Sequence, residues 1–508
     1  MSIHLTALPI LLPLIGGVLI LFARSSGLAL QRKLNLLLTA TLIVVAVNLL
    51  DTAASGVHQV YLLGNWPAPF GIVLVLDKLS ALMLLMTALL AFAALCYGIS
   101  ENTDKQGEHF HALFQIQLFG LNGAFLTGDL FNLFVFFEVL LLASYGLLLH
   151  GGGRLRTKSG LHYVIINLIG SSLFLFAVGT LYGVTGTLNI ADMAAKMAAV
   201  DVMDQGIVGA AALLLLVVFG IKAAIFPLYL WLPGAYAHTS APVAALFAIM
   251  TKVGLYAIIR VHGTVFAEQA GSLTAIHAEV LLVLGMITLL MAALGVIAAR
   301  ALREQVAYLI LASVATLLIG IGINQQQALA ATLYYLIHST FIGGALFLLA
   351  DIIVQSRGSV ADKFRSAPAM SSSVLVGSIY LVAAVAMVGM PPLSGFFGKV
   401  LLLEAALNHN GFAWIFAAVL LGSLLMVIAM ARSGSMLFYQ TQQTTKTDGR
   451  ALNNKAFIVM LLLLFTSPLL VIFAHPVSSF TAAVADQLFN TDAYIQAVLN
   501  QPVSSGKR

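Results

Sequence analysis

Five ionisable residues stand near the middles of long apolar runs. Glu138 lies in LFNLFVFFEVLLLASYG, Lys222 in FGIKAAIFPLYLWLPG and Lys252 in FAIMTKVGLYAII. His338 lies in TLYYLIHSTFIGGALF and Lys399 in VGMPPLSGFFGKVLLLEAAL. These residue types take up and release protons. Burial disfavours a charged ammonium, so a lysine held away from water gives up its proton more readily than a solvated one. A row of such groups can pass protons near neutral pH. Part of the set has a static alternative: Glu138 and one lysine could form an interhelical ion pair, and a lone His338 could hydrogen-bond across helices. Three central lysines against one central glutamate leave positive charge unpaired. That is poor glue, so the set reads as a proton path.

The elements that carry these residues follow from the composition. Hydrophobic residues make up 61% of the 508, charged ones only 8%, and the mean hydropathy is +1.02. Soluble domains carry about 25% charged residues. The apolar runs recur from end to end, each near the ~20 residues that a spanning helix needs. The chain therefore reads as an all-α polytopic membrane protein, since no sustained polar/apolar alternation of the barrel type is present. Its solvent is the lipid bilayer, and the net charge of +5 is no sign of nucleic acid. The single cysteine, Cys96, leaves no intrachain disulfide, cysteine-ligated cluster or Cys-rich zinc site. The first apolar run lacks a basic leader and reads as a span, not as a cleavable signal.

Fourteen spans are expected, at about 4–23, 34–51, 73–97, 111–127, 130–149, 161–183, 207–235, 242–262, 276–299, 305–322, 329–352, 372–405, 413–438 and 456–474. The loops after odd-numbered spans hold fifteen lysines and arginines; those after even spans and both tails hold three, Lys196, Lys507 and Arg508. The positive-inside bias puts the odd loops in the cytoplasm and both termini outside. Lys78, Arg260 and Arg432 lie near span ends, where they are expected to snorkel to the interface. The five central groups cannot. A charge at the bilayer centre costs about 2.5–3.5 kcal/mol even on lenient scales, so these must face the bundle interior, water or one another.

Spans 7 and 12 are long and interrupted by Pro227 and Pro233, and by Gly389, Pro391 and Pro392. Proline frees a backbone carbonyl, and irregular backbone at membrane depth is tolerated where it lines protein or water. Broken spans in corresponding places of two halves point to an ion site. The two breaks lie five spans apart, so spans 4–8 and 9–13 are read as inverted five-helix units. One detail resists this: Lys222 precedes its proline, whereas Lys399 follows Pro391 and Pro392. The organisation is then 1–110 for spans 1–3, 111–262 for the first half, 276–438 for the second, and 456–508 for span 14 and a tail.

Three long stretches carry a family resemblance: LGNWPAPFGIVLVLDKLSALM (63–83), LFGLNGAFLTGDLFNLFVFFEVLLLASYGLLLHGGG (118–153) and KAAIFPLYLWLPGAYAHTSAPVAALFAIMTKVGLYAIIRV (222–261). The chain resembles the D subunit of the Mrp-type (Pha/Mnh) multisubunit Na⁺(K⁺)/H⁺ antiporters over nearly its whole length. The wider family includes the antiporter-like subunits of respiratory complex I and of membrane hydrogenases. The resemblance implies two inverted five-helix repeats with helices 7 and 12 broken. It assigns Glu138 on span 5, Lys222 on span 7, Lys252 on span 8, His338 on span 11 and Lys399 on span 12 to proton transfer. His238, in the turn between spans 7 and 8, matches a position near cytoplasmic proton access; Asp351 and Glu404 are weaker accessory candidates. It further implies a secondary transporter subunit rather than an enzyme, in a bacterial inner membrane, hetero-oligomeric with other Mrp/Pha subunits, exchanging H⁺ against Na⁺ or K⁺. No cofactor or metal is expected. The main rival is a proton-pumping subunit of a complex I-type or hydrogenase redox complex. A membrane scaffold that moves no ion, or a quinone-site subunit, has less support.

Overall fold

The computed structural model describes residues 3–370, 372–442 and 449–501. Lys507 and Arg508, counted above in the tail, lie outside the described residues, as does Lys446 of the loop after span 13. The chain is a multi-pass helical bundle. Twelve helices among the described residues are long and apolar enough to cross a membrane. The other two expected spans take a different form. The fourth is a helix of only 17 residues, Phe110–Leu126. The twelfth is two helices, Ser373–Val388 and Ser394–Ala406.

Local chemistry sets several helix ends. Span 3, Lys78–Ser100, starts at a capping box: Asp77 Oδ1 accepts from the Ser80 amide at 2.8 Å, and Ser80 Oγ accepts from the Asp77 amide at 2.9 Å. Such reciprocal caps satisfy donors that a helix start leaves orphaned. Span 5, Leu130–Leu149, starts at Asp129, whose carboxylate accepts from the Asn132 amide at 2.8 Å. Two features depart from the purely helical expectation. Strands β1 (Gln59–Leu62) and β2 (Val73–Leu76) pair antiparallel, Gln59 opposite Leu76. Two residues each in β3 (Ala367–Pro368) and β4 (Thr441–Gln442) pair in parallel. The expected tail also folds, into Ala474–Phe489 and Thr491–Leu499.

Burial ranks the spans. The most apolar windows of Ala241–Val265, Leu302–Gly322 and Gln326–Val360 are 100%, 94% and 89% buried, against 33% for Leu28–Ala54 and 28% for Phe412–Phe438. Spans 8, 10 and 11 therefore form the centre, and spans 2 and 13 lie at the exposed edge of the bundle.

The connecting segments sort onto two faces. On one, Arg32 pairs with Asp104, His150 bonds the Thr103 carbonyl, and Arg156 donates to the His238 carbonyl. There too Asn453 donates to the Ser100 carbonyl, the Arg450 amide to the Gln355 carbonyl, and Arg303 pairs with Asp362. These contacts tie together the loops after spans 1, 3, 5, 7, 9, 11 and 13, all but the seventh-span loop carrying lysine or arginine. On the opposite face the Gly128 amide donates to Val73, the Ile190 amide to Gly128, and the Lys78 amide to the Gln487 side chain. Thr6, near the start of the chain, reaches Gln59 of β1 on that same face.

Candidate functional site

Spans 7 and 12 break by the same local device. Helix Gln205–Ala223 ends at Ala224, at φ 63°, and the Ile225 amide turns back to the Gly220 carbonyl at 2.9 Å. Helix Ser373–Val388 ends at Gly389, at φ 81°, and the Met390 amide turns back to the Val385 carbonyl at 3.0 Å. Both are left-handed caps with a six-to-one closing bond. A proline follows three residues after each cap, Pro227 and Pro392. Without an amide hydrogen it cannot carry the helix on. Glycine adopts the left-handed region freely; Ala224 is held there against a cost of about 1–2 kcal/mol.

This geometry resolves the mismatch between the two lysines. Lys222 sits in the last turn of the first half-helix of span 7. Lys399 sits in the second half of span 12, yet its Nζ reaches back to donate to the Val388 carbonyl at 2.7 Å. Val388 is the last residue of the first half-helix. Lys222 thus belongs to the last turn of one broken helix, and the Lys399 ammonium ends at the C-terminal end of the other, where the aligned carbonyls carry partial negative charge. Lys399 also donates to Ser423 Oγ of span 13 at 2.7 Å. Lys222 donates to Asn167 Oδ1 of span 6 at 3.1 Å and lies 5.9 Å from the centroid of the Phe137 ring.

Glu138 and Lys222 each bond a side chain of span 6. Glu138 accepts a hydrogen bond from Ser171, and Ser171 Oγ also approaches the Asn167 carbonyl at 3.0 Å. Asn167 and Ser171 are four apart, hence stacked on one face of span 6. Ser171 bonds the main-chain carbonyl of Asn167, whereas Lys222 bonds the Asn167 side chain, so one face of span 6 contacts both the acid and the lysine. Among the described residues no direct Glu138–lysine ion pair forms; each charged group bonds span 6 instead. Asn167 and Ser171 were missed in the sequence, although two hydrogen-bonding residues at helical spacing inside a long apolar span were a readable signal.

Lys252 and His338 complete the set at the centre. Both are fully buried. Lys252 Nζ has no hydrogen-bond partner among the described residues. His338 Nδ1 bonds Ser394 Oγ at 2.7 Å, and Ser394 in turn bonds Ser467 Oγ at 2.8 Å. Packing fixes their depth. Gly254 of span 8 lies on the Lys222–Ala223 backbone so closely that a Cβ there would stand 2.6 Å from the Ala223 amide nitrogen. Lys252, two residues away, is then within about 3 Å of Lys222 in height. Gly343 of span 11 faces Ala248 of span 8. Lys252 is four residues and His338 five from that contact, both away from the basic face, so their heights agree within about 2 Å. Gly395 lets span 12 approach His338: a Cβ on it would lie 2.7 Å from Nε2. Four basic groups therefore occupy one level across the bundle.

The remaining candidates stand apart from that level. His238 is half-buried on the basic face, bonded to the Gly234 carbonyl at 2.9 Å and near Ser159 Oγ at 3.1 Å, and it lines a cavity of about 280 Å³. Asp351 accepts from Tyr97 at 2.9 Å and Gln355 at 2.8 Å. Thirteen residues of helix, about 20 Å, separate it from His338. Glu404 is exposed and lines a cavity of about 380 Å³ with Ser478 and Ser479.

Arg260 departs from expectation. It does not snorkel to water: it is buried and pairs with Asp77 at 2.5 Å, with the rings of Tyr256 and Tyr494 against its guanidinium. The carboxylate that caps span 3 supplies an interior counter-charge, which removes the need to reach the interface. Arg432 is exposed at its span end as expected.

The family described as NADH:quinone oxidoreductase/Mrp antiporter, TM matches residues 127–426, a range that holds all five central groups. The chain is 39% identical to a probable K⁺/H⁺ antiporter D subunit of Rhizobium meliloti (strain 1021), over 98% of each chain. It is 35% identical to a Na⁺/H⁺ antiporter D subunit of Bacillus subtilis (strain 168), over 97% of this chain and 99% of the relative. Among solved structures, a chain of the Mrp complex from Dietzia sp. DQ12-45-1b superposes with a TM-score of 0.85 at 27% identity, covering 98% of this chain and all of that one. On these full-length likenesses the chain belongs to the membrane-subunit family shared by NADH:quinone oxidoreductases and Mrp antiporters, in its antiporter D-subunit group.

Proposed function

We propose that this chain is the proton-translocating D subunit of a multisubunit monovalent cation/proton antiporter. Protons pass along Lys222, Lys252, His338 and Lys399 with water between them, and Glu138 acts on Lys222 across the face of span 6 that both contact. The observation that carries this reading is the common level of four buried basic groups, two of them seated on broken-helix ends. Bridging waters let such groups relay protons without direct contact. The unpartnered Lys252 Nζ is where a water is most needed. His238, in its cavity on the basic face, is the proposed point of proton access; Asp351 and Glu404 are accessory at most. The subunit works with the other Mrp/Pha antiporter subunits in a bacterial inner membrane, against Na⁺ or K⁺, as a transporter and not as an enzyme.

The halves 111–262 and 276–438 act as inverted repeats. Two isolated bridges support this. Asp129, before span 5, pairs with Asn189, after span 6; Ala301, before span 10, pairs with Lys363, after span 11. The same pairing recurs five spans on, but on the opposite face. The basic face is read as cytoplasmic and both termini as outside. A cysteine at exposed Thr157 should then react only with a permeant reagent, and one at exposed Val202 with an impermeant one from outside. Reversed labelling would overturn the orientation.

The deciding experiment is reconstitution of the whole complex in vesicles that hold a proton gradient. Addition of Na⁺ or K⁺ should dissipate it. Proton uptake that needs a redox donor and ignores these cations would favour the complex I-type reading.

A further inference from the structure

The basic face carries a cavity that the proton row does not use. It has a volume of about 590 Å³ and lies between the ends of spans 9, 10 and 13 and the loop after span 11. Arg300, Lys363, Arg365 and Arg432 all line it. All four are exposed, and among the described residues none of their side chains pairs with an acid; Glu304 is the single acidic lining residue. Arg303 beside them is already spent on Asp362. Four cations against one acid around one cavity leave a positive excess that favours an anion there.

The walls say which kind of anion. On span 13, Leu421, Leu424, Ile428 and Arg432 follow at helical spacing, so they form one stripe on one face. The three apolar members are exposed, and the stripe ends at the arginine. On span 9, Leu290 and Leu294 are exposed likewise and lead down to Ile297 of the cavity wall and then to Arg300. Spans 9 and 13 pack against each other, so the two stripes descend into the same cavity. A soluble phosphate would use the cations and leave the stripes bare. A lipid uses both: acyl chains along the stripes, a phosphate at their ends. Basic pockets between spans on the cytoplasmic side suit anionic headgroups, each lysine or arginine adding to the affinity.

We infer that this cavity is a binding site for an anionic phospholipid, with the headgroup phosphate held by Arg300, Arg432, Lys363 and Arg365. The lipid would seat the second half of the subunit at the membrane interface beside the His238 cavity, which shares Arg300 and Glu304.

The test uses the chain purified with its co-expressed partner subunits in nanodiscs. Photo-crosslinkable phosphatidylglycerol is compared with the matching phosphatidylcholine, and labelled peptides are read by mass spectrometry. Phosphatidylglycerol should label the segments around Arg300 and Ile428–Met436, phosphatidylcholine should not, and excess inorganic phosphate should leave the label in place. The Arg300→Gln/Arg432→Gln double variant should lose labelling by about tenfold or more. If that variant fails to assemble, Lys363→Gln/Arg365→Gln serves instead, with the same expected loss. Equal labelling by the zwitterionic lipid, labelling unchanged in the variants, or displacement by inorganic phosphate would each overturn the proposal. So would label found on a partner subunit covering the cavity.

Discussion

The two broken spans hold their lysines at the same kind of place but in different company. In the first half, Lys222 shares one face of span 6 with an acid: Lys222 bonds Asn167, and Ser171 one turn on bonds Glu138. In the second half, the partners of Lys399 among the described residues are neutral, the Val388 carbonyl and Ser423. Span 10, which stands where span 5 does, is apolar over the buried stretch from Val306 to Leu311 and brings no carboxylate there. A helix-end carbonyl and a hydroxyl thus hold the Lys399 ammonium without an acid, and the first half adds a charge that the second lacks. A fixed carboxylate favours the protonated state of a nearby base. On the proposed function, the first half would carry the means to retune its lysine during a cycle, and the second would be a fixed station.

The largest test removes either station. Lys222→Ala and Lys399→Ala should each abolish cation/proton exchange in vesicles, a loss of at least about a hundredfold, because a hydrophobic gap replaces a proton carrier. The complex should still assemble by gel filtration, since each change deletes a costly buried charge. Lys222→Arg should fail as well, for arginine does not release its proton at usable pH. Retained exchange in an assembled Lys399→Ala complex would make the second half structural only.

A smaller effect should divide the halves. Glu138→Gln keeps the shape of its site but loses the charge. It should slow exchange by about tenfold or more, whereas Glu138→Asp keeps partial activity. Full activity in Glu138→Gln would show that the acid is idle and the halves equivalent.

The smallest pair asks whether these contacts matter. Ser171→Ala removes the hydrogen bond that Glu138 accepts from span 6, and should cost about two- to tenfold in exchange rate. Ser423→Ala removes one of two partners of Lys399 and leaves the carbonyl, so it should cost about threefold at most. Equal losses in the two variants would erase the distinction between a tuned lysine and a fixed one.

Much of this was legible in the residues. Apolar runs near bilayer length fix helices, because no other open structure satisfies its backbone in lipid. Glu138, Lys222, Lys252, His338 and Lys399 announced themselves by cost, since a charged group in mid-span needs a reason. Pro227 and Pro392 marked both breaks, because a residue without an amide hydrogen interrupts the ladder in any context. The loops that the lysine and arginine count grouped together do share a face. Other matters lay beyond local pattern. That Lys399 turns back to the carbonyl ahead of its own break depends on a side-chain path across the gap. That Glu138 and Lys222 both bond span 6 depends on which helix packs beside them. Arg260 looked like an interfacial residue because its partner, Asp77, is 183 positions away in sequence. Sequence by itself determined which groups enter the membrane and where the helices must break, since these are costs paid residue by residue. Only the tertiary structure decided which groups face one another at one depth, because that is set by helix contacts such as Gly254 on Lys222 and Gly395 on His338, between residues far apart in the chain.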